Sequence, residues 1–319
     1  MQYPVDSCFQ NRVLAAPDHI LVATDLTDAD YLLPHVIAQA EASSARVTLF
    51  HAIRPSESLP KEEGAIPFVD KAKINRDVRL SLLGVAREIQ SHGISCEISV
   101  RHGYPAESIC AEIGRSGARR LVMASHGRGK LAQLVLGSVA SELLSCVNIP
   151  VFAVGPAAYR SPQHAAPRRI LHPVSLMGDY KKSVCLALDL AQTHRAELTL
   201  LHVLDPDVKA QINPERTRSW ADRALNALIP SAKDLRFATQ TQTASGNLVE
   251  EVLRTATAIS ADWIVLGVDG TIPIWRLRDT AAYKILARAE SPVLTLRHEP
   301  CGGQSTIRLE TKRIAGIIA

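Results

Sequence analysis

Aromatic residues make up only 4% of this 319-residue chain. So thin a supply makes the core aliphatic and argues against a nucleic-acid platform, which needs exposed rings for bases to stack on. Charge of one sign is scarce as well. The 36 Lys and Arg against 32 Asp and Glu leave a formal +4, and a pI near 8.8 falls short of a nucleic-acid binder's footprint. The six cysteines (Cys8, Cys96, Cys110, Cys146, Cys185, Cys301) contain no C-x-x-C pair. That speaks against a disulfide framework or structural zinc and for a reducing cytoplasm. No apolar run nears the roughly 18 residues of a membrane helix. The stretch Met1–Asn11 carries Asp6 and no apolar segment of the signal-peptide kind. The expectations are therefore a cytoplasmic chain with no nucleic acid and no membrane as partner. Three chemical signatures are absent too: no G-x-G-x-x-G follows the first strand, no Walker A motif is present, and no G-x-S-x-G marks a nucleophile.

What is present is an apolar share of 46%, enough for real cores, over a length that suggests two domains. The chain also repeats itself. Ile20–Asp25 has a counterpart in Ile170–Ser175, Val47–Ala52 in Leu198–Val203, Arg120–Ala124 in Trp263–Gly267, and Ile149–Phe152 in Ser291–Leu294. The offsets are 150, 151, 143 and 142 residues, in unbroken order, which marks a duplicated domain. Between the copies, Gly155–Arg169 holds three prolines and no apolar period, as a linker does. The division expected is 1–156, a linker at 157–167, 168–298, and a tail at 299–319 of unassigned role.

Within each half, short aliphatic runs alternate with longer amphipathic stretches. In the first half the runs are Ile20–Thr24, Val47–Ile53, Ile94–Val100, Arg120–Ala124 and Val151–Val154. Helical patterns lie near Asp28–Ser44, Val69–His92, Pro105–Ser116 and Ser138–Cys146. The second half offers Ile170–Val174, Glu197–Val203, Leu235–Thr241, Trp263–Gly267 and Val293–Leu296. Runs this short and apolar on both faces are strands buried between helices. The fold class expected is α/β: two tandem Rossmann-like open parallel sheets, five-stranded, with helices on both faces. The fifth strands are apolar and end their sheets, and such edges seek partners.

In these sheets ligands bind beyond the carboxyl ends of the strands, where strand order reverses. Asp25 ends the first strand there. After the fourth strand come Ser125-His126-Gly127-Arg128-Gly129-Lys130 and then Gly137-Ser138-Val139, which opens a helix. Glycines let backbone N–H groups approach an anion. A helix amino end adds unsatisfied donors and partial positive charge. This reads as a phosphate cradle, with Arg128 and Lys130 supplying charge and Asp25 accepting from a ribose or holding a metal. The plain alternative is a glycine turn followed by an ordinary Gly-Ser cap.

Both halves resemble the universal stress protein family. The resemblance is carried by Ile-Leu-Val-Ala-Thr-Asp at 20–25, by Leu-Phe-His-Ala at 49–52, and by a loop of the form G-x-x-G, nine residues, G-[ST]. Here that loop is Ala124-x-x-Gly127, nine residues (Arg128 to Leu136), then Gly137-Ser138. It implies the adenine nucleotide alpha hydrolase-like fold, and ATP, with magnesium or manganese, as ligand of the first half. Carried over residue by residue, it implies Asp25 and Ala52 around adenosine and Gly127, Gly137, Ser138 and Val139 around the phosphates. Ala23, Thr24, Met123, Ala124, His126 and Arg128 complete the candidate set. One position departs: Ala124 stands where the first glycine is usual. The resemblance further implies that the fifth strands pair, making the two copies an intramolecular pseudo-dimer; a homodimer of whole chains is one further option.

The second copy keeps Gly267-x-x-Gly270. Anchored on Pro150 and Pro292, however, Asp279-Thr280 falls against Gly137-Ser138, with a gap one residue shorter. A carboxylate there would oppose a triphosphate: like charges about 4 Å apart cost about 1 to 4 kcal/mol. Asp269 adds another, and Ser175 replaces Asp25. The second half is therefore expected to be a structural partner; a cation site at Asp269 and Asp279 is the rival reading. His51 and His202 recur near strand ends, where a histidine more often satisfies a local hydrogen bond than serves a ligand. His126 sits inside the loop and could touch phosphate or be idle. The function expected is an ATP-binding stress-response regulatory or sensor module acting on an unidentified protein partner. The rivals are a slow ATPase or adenylate-forming enzyme, for which no strong base is evident, and a nucleotide-free scaffold, which Ala124 favours.

Overall fold

The computed structural model describes residues 15–55, 71–126, 136–155, 158, 165–178, 180–205, 214–230, 235–270 and 274–298. Gly127, Arg128, Gly129 and Lys130 of the candidate loop, most of the linker and the tail 299–319 lie outside them.

The first half runs β1 (His19–Ala23), α1 (Ala29–Ser43), β2 (Arg46–Ile53), α2 (Lys71–Ser91), β3 (Cys96–His102), α3 (Pro105–Ser116), β4 (Arg120–Ala124), α4 (Ser138–Cys146) and β5 (Val151–Val154). The second repeats it as β6 (Arg169–Pro173), α5 (Lys181–His194), β7 (Glu197–Leu204), α6 (Pro214–Asn226), β8 (Thr239–Ser245), α7 (Leu248–Ala258), β9 (Trp263–Asp269), α8 (Ala281–Arg288) and β10 (Val293–His298). A six-residue 3-10 helix, Ile274–Asp279, precedes α8. The central strands β1, β4 and β5 are buried at every position. That is the pattern of a sheet covered on both faces, and it is why these strands read as aliphatic runs.

The two expected sheets are one. Its ten strands run β3-β2-β1-β4-β5-β10-β9-β6-β7-β8. Among the described residues the strand pairings are parallel except at the junction, where β5 and β10 meet antiparallel through Val151↔Thr295, Phe152↔Leu294 and Ala153↔Val293. Each apolar fifth strand thus covers the other's edge. Two buried clusters, one on each face, draw residues from both halves: Leu32, Phe152, Leu190 and Leu294 in one, Phe50, Leu143, Leu286 and Val293 in the other. At the junction Trp263 meets Phe152 edge-on, ring centroids 4.8 Å apart, and His194 at 5.0 Å. Arg120 is buried beside α1, where it donates to Gln39 Oε1 at 2.9 Å and to the Ala15 carbonyl at 3.0 Å. Burial pulls its guanidinium down to about 9.

Two expectations need correction. The third strand of the second half is Thr239–Ser245, not Leu235–Thr241. Leu235 and Phe237 drew the boundary too early. At an edge, paired only with β7, the Thr-Gln alternation suits a half-buried strand better than a short apolar run does. Cysteine chemistry also differs from a wholly reduced set, since Cys185 on α5 is disulfide-bonded. Among the described residues, no helix is long and apolar enough to cross a membrane.

Candidate functional site

In the first half the connection reverses direction between β1 and β4, which are neighbours. A ligand cleft belongs beyond the carboxyl ends of such a strand pair, and one is there: a cavity of about 490 Å³. Small-molecule sites span about 300–1,000 Å³. Ten of the expected residues line it together: Ala23, Thr24, Asp25, Ala52, Met123, Ala124, His126, Gly137, Ser138 and Val139. Gly127 and Arg128 lie outside the described residues. Sequence reasoning missed Asp28, Arg54, Phe50, His51, Pro105, Ile109, Ser125 and Ala140, which complete the wall. Arg54 had a positional signal, two residues beyond Ala52 on the same strand end. Asp28 had the opposite one, because it read as the start of a helix.

The β1–α1 turn is tightly wired. Leu26 takes a left-handed φ of 74°, and its N–H is satisfied by Thr24 Oγ1 at 3.0 Å. The Asp25 carboxylate accepts from the Thr27 amide at 2.9 Å and the Thr27 hydroxyl at 2.6 Å. Asp28 makes no cap for α1. Its Oδ1 turns back to accept from Thr24 Oγ1 and from the Asp25 amide at 3.2 Å. Burial first, and then the charge of Asp25, push the Asp28 carboxyl up to about 6, against the Thr24 hydrogen bond.

His51 bonds the Thr24 carbonyl through Nδ1 at 2.8 Å, and His202 bonds the Val174 carbonyl at the same 2.8 Å. Both are local braces, as their strand-end positions suggested, although His51 also borders the cavity. His126 Nδ1 lies 2.6 Å from Ser125 Oγ, and burial holds its pKa below the ordinary imidazole range. At neutral pH it brings hydrogen-bonding capacity to the cavity rather than charge.

The far wall is the amino end of α4. Its N-cap is Gly137, with φ −59° and ψ 151° and no side-chain cap. Any residue adopts those angles, so glycine is not required there by conformation. What it provides is the absence of a side chain over the first turn, whose residues Ser138, Val139 and Ala140 line the cavity; a helix start without a side-chain cap leaves its first amides open to an external acceptor.

The second half is aligned differently from the sequence expectation. Arg120 and Trp263 hold the same register against Ile20 and Ile170, and Gly137 and Thr280 are the matching N-caps. Both pairs stand 143 positions apart. The counterpart of Gly137 is therefore Thr280, and Asp279 falls against Leu136. The intervening loop keeps nine residues in both copies, and the deletion lies in α8, eight residues long against nine in α4. Thr280 Oγ1 caps α8 by accepting from the Tyr283 amide at 3.2 Å. Tyr283 is buried at the place of Ala140, and its hydroxyl has no hydrogen-bond partner among the described residues. By strand register Asp205 stands for Arg54, Ser175 for Asp25 and Gly178 for Asp28, with Asp269 for His126.

The family model of the universal stress proteins matches residues 17–155 and again 167–297. The chain belongs to the universal stress protein family, as a tandem member. A universal stress protein of Methanocaldococcus jannaschii is 24% identical over 152 residues, which are 48% of this chain and 91% of that protein. Among solved structures, one of a universal stress protein from Archaeoglobus fulgidus superposes with TM-score 0.67 at 18% identity, covering 88% of this chain and 98% of that one. Another, a protein of unknown function from Pseudomonas aeruginosa, gives 0.62 at 18% identity, covering 90% and 94%. The fold likeness thus extends over both halves.

Proposed function

We propose that the first half binds an adenine nucleotide, ATP with a divalent cation, and that the second half is its built-in, nucleotide-free partner. The protein then works as a nucleotide-dependent regulatory module whose bound state is read by another protein. The observation that carries this is the uncapped amino end of α4, which opens into a cleft already lined by aliphatic and polar groups in separate regions. Met123, Ile109, Phe50 and Val139 offer apolar contact for a base. Asp25 stands where a ribose hydroxyl would find an acceptor. The α4 amides, aided by the Arg54 side chain, suit the phosphates. In the second half the same helix end satisfies itself through Thr280, Tyr283 occupies the space of Ala140, and Asp205 and Asp269 bring negative charge where the first half has Arg54 and His126. These four differences support the one-site reading better than Asp279 does.

Calorimetric titration of magnesium-ATP into the wild type and into Gly137→Asp tests it. Gly137 has an open backbone conformation, and Asp is a favoured N-cap residue, so the variant keeps its fold. Its carboxylate satisfies the helix end and repels the polyanion. We expect one nucleotide per wild-type chain and a loss of about 10- to 1,000-fold in the variant, from a like-charge cost of about 1 to 4 kcal/mol. Absence of wild-type binding rejects the function. Equal binding by the variant rejects the helix-end assignment, and two nucleotides per chain reject the division between halves.

A further inference from the structure

Cys110 on α3 and Cys146, the last residue of α4, place their sulfurs 3.1 Å apart. That is about 1 Å beyond the ~2.05 Å of an S–S bond. Cys110 is half-buried and Cys146 exposed, so a small oxidant reaches the pair from solvent. The two helices are the ones that wall the cavity: α3 through Pro105 and Ile109, α4 through Gly137 to Ala140. Between the two cysteines in sequence lie β4 and the whole glycine-containing segment 127–137, so a bond between them closes that segment into a ring. In the second half the corresponding helices are fastened in another way. There Arg288, the last residue of α8, grips Glu250 of α7 through Nη1–Oε1 at 2.6 Å and Nη2–Oε2 at 2.9 Å.

The geometry points to Cys110 and Cys146 as a reversible dithiol–disulfide site, oxidised by hydroperoxides, that locks α3 to α4 around the cavity. The roles of the two sulfurs differ. The hydrogen bond the two sulfurs share holds the Cys110 thiol below its ordinary range and pushes that of Cys146 up. Glu107 and Glu142 from the two helices and Arg297 from β10 are the charges that act on them. Cys110 is thus the attacking thiolate. It takes one oxygen of the hydroperoxide: an S–O bond forms, the O–O bond breaks, and the alcohol (water, for hydrogen peroxide) leaves. The Cys146 sulfur then attacks the sulfenic sulfur. The S–S bond forms, the S–O bond breaks, and hydroxide leaves with the Cys146 proton as a second water. Two thiols lose two electrons in all and the peroxide gains them. A dithiol reductant reverses the bond by exchange. This inference stands on the helix pair and does not depend on nucleotide binding.

The test is peptide mapping of the full-length protein by mass spectrometry, without reduction, after treatment with stoichiometric hydrogen peroxide. Alkylation rates of individual thiols are followed beforehand. We expect a Cys110–Cys146 linked peptide that dithiothreitol removes. Cys110 should alkylate at least about 10-fold faster than Cys96, whose thiol burial pushes up to about 11. The oxidised form should melt a few degrees higher, because the bond closes a chain loop. In Cys146→Ser the linked peptide is absent and Cys110 accumulates as sulfenic or sulfinic acid. The proposal is overturned if both wild-type thiols remain alkylatable, if Cys110 goes to sulfinic acid in the wild type without pairing, or if either cysteine links elsewhere. Since the mapping is done on the wild type, a variant that fails to fold does not blur the result.

Discussion

At the amino end of α4 stands Gly137, with no side chain over the first-turn amides; at the amino end of α8, Thr280 accepts from the Tyr283 amide. The strands around these two ends keep the same order and register. The duplicated frame has therefore diverged where a helix meets a cavity, and it has done so by self-satisfaction. A helix whose own threonine caps it, with a buried tyrosine in its first turn, satisfies part of its own amino end. The half that leaves its helix end open also keeps a buried carboxyl, Asp28, where its twin has Gly178. On the proposed function, binding capacity and local stability pull in opposite directions across the duplication.

Stability measurements can test this contrast at several points. Trp263→Ala should cost about 3–5 kcal/mol, the range for truncating a large core side chain, in a urea titration. Since the buried clusters draw on both halves, unfolding should remain a single transition; two resolved transitions would show that the halves are energetically separate.

Asp28→Asn should act in the opposite direction. The folded carboxyl titrates at about 6 and the free one at 3.8. Below 3.8 both folded and unfolded states hold the proton. As pH rises through the window between these values, the unfolded chain ionises first and stability falls. Above about 6 the full penalty remains, about 3 kcal/mol for a shift of about two units. Asparagine keeps the oxygen that accepts from Thr24 and carries no charge. The variant should thus be more stable than the wild type at pH 7.5, by up to that amount, and nearly equal to it at pH 4. Denaturation midpoints at the two pH values decide the matter, and a gain of the same size at both would refute the assignment.

The two helix ends provide a smaller contrast. Thr280→Ala removes a cap and should cost about 1 kcal/mol. Ser138→Ala, one position inside an uncapped helix, should stay within about 0.5 kcal/mol of the wild type. Equal losses in thermal melts would mean that α4 is capped after all.

Much of the site could be read from the order of residues. Asp25, Ala52 and Ala124 lie at or near the carboxyl ends of β1, β2 and β4, which a buried parallel sheet must align; periodicity placed Asp25 at that edge, and the family resemblance added Ala52 and Ala124. Asp28 could not be read in that way. A carboxylate immediately before a helical run has the form of an N-cap, and only the left-handed turn at Leu26 sends it back toward Thr24. The twin site was misaligned for a similar reason. Counting back from Pro292 assumes that helices keep their length, whereas α8 lost a residue at its far end and left the loop intact. Thr280, not Asp279, then falls at the cap.

The sequence by itself determined the duplication, the alternation of buried strands with helices, and the glycine-bearing helix start. Those features rest on local periodicity and on the identity of single residues. The tertiary structure alone decided that the paired fifth strands meet antiparallel and merge the two sheets into one, that Tyr283 is buried at the position of Ala140, and that Cys110 meets Cys146. Each of these depends on contacts between residues far apart in the chain, whose distances are set by how helices settle on the sheet and not by any spacing along it.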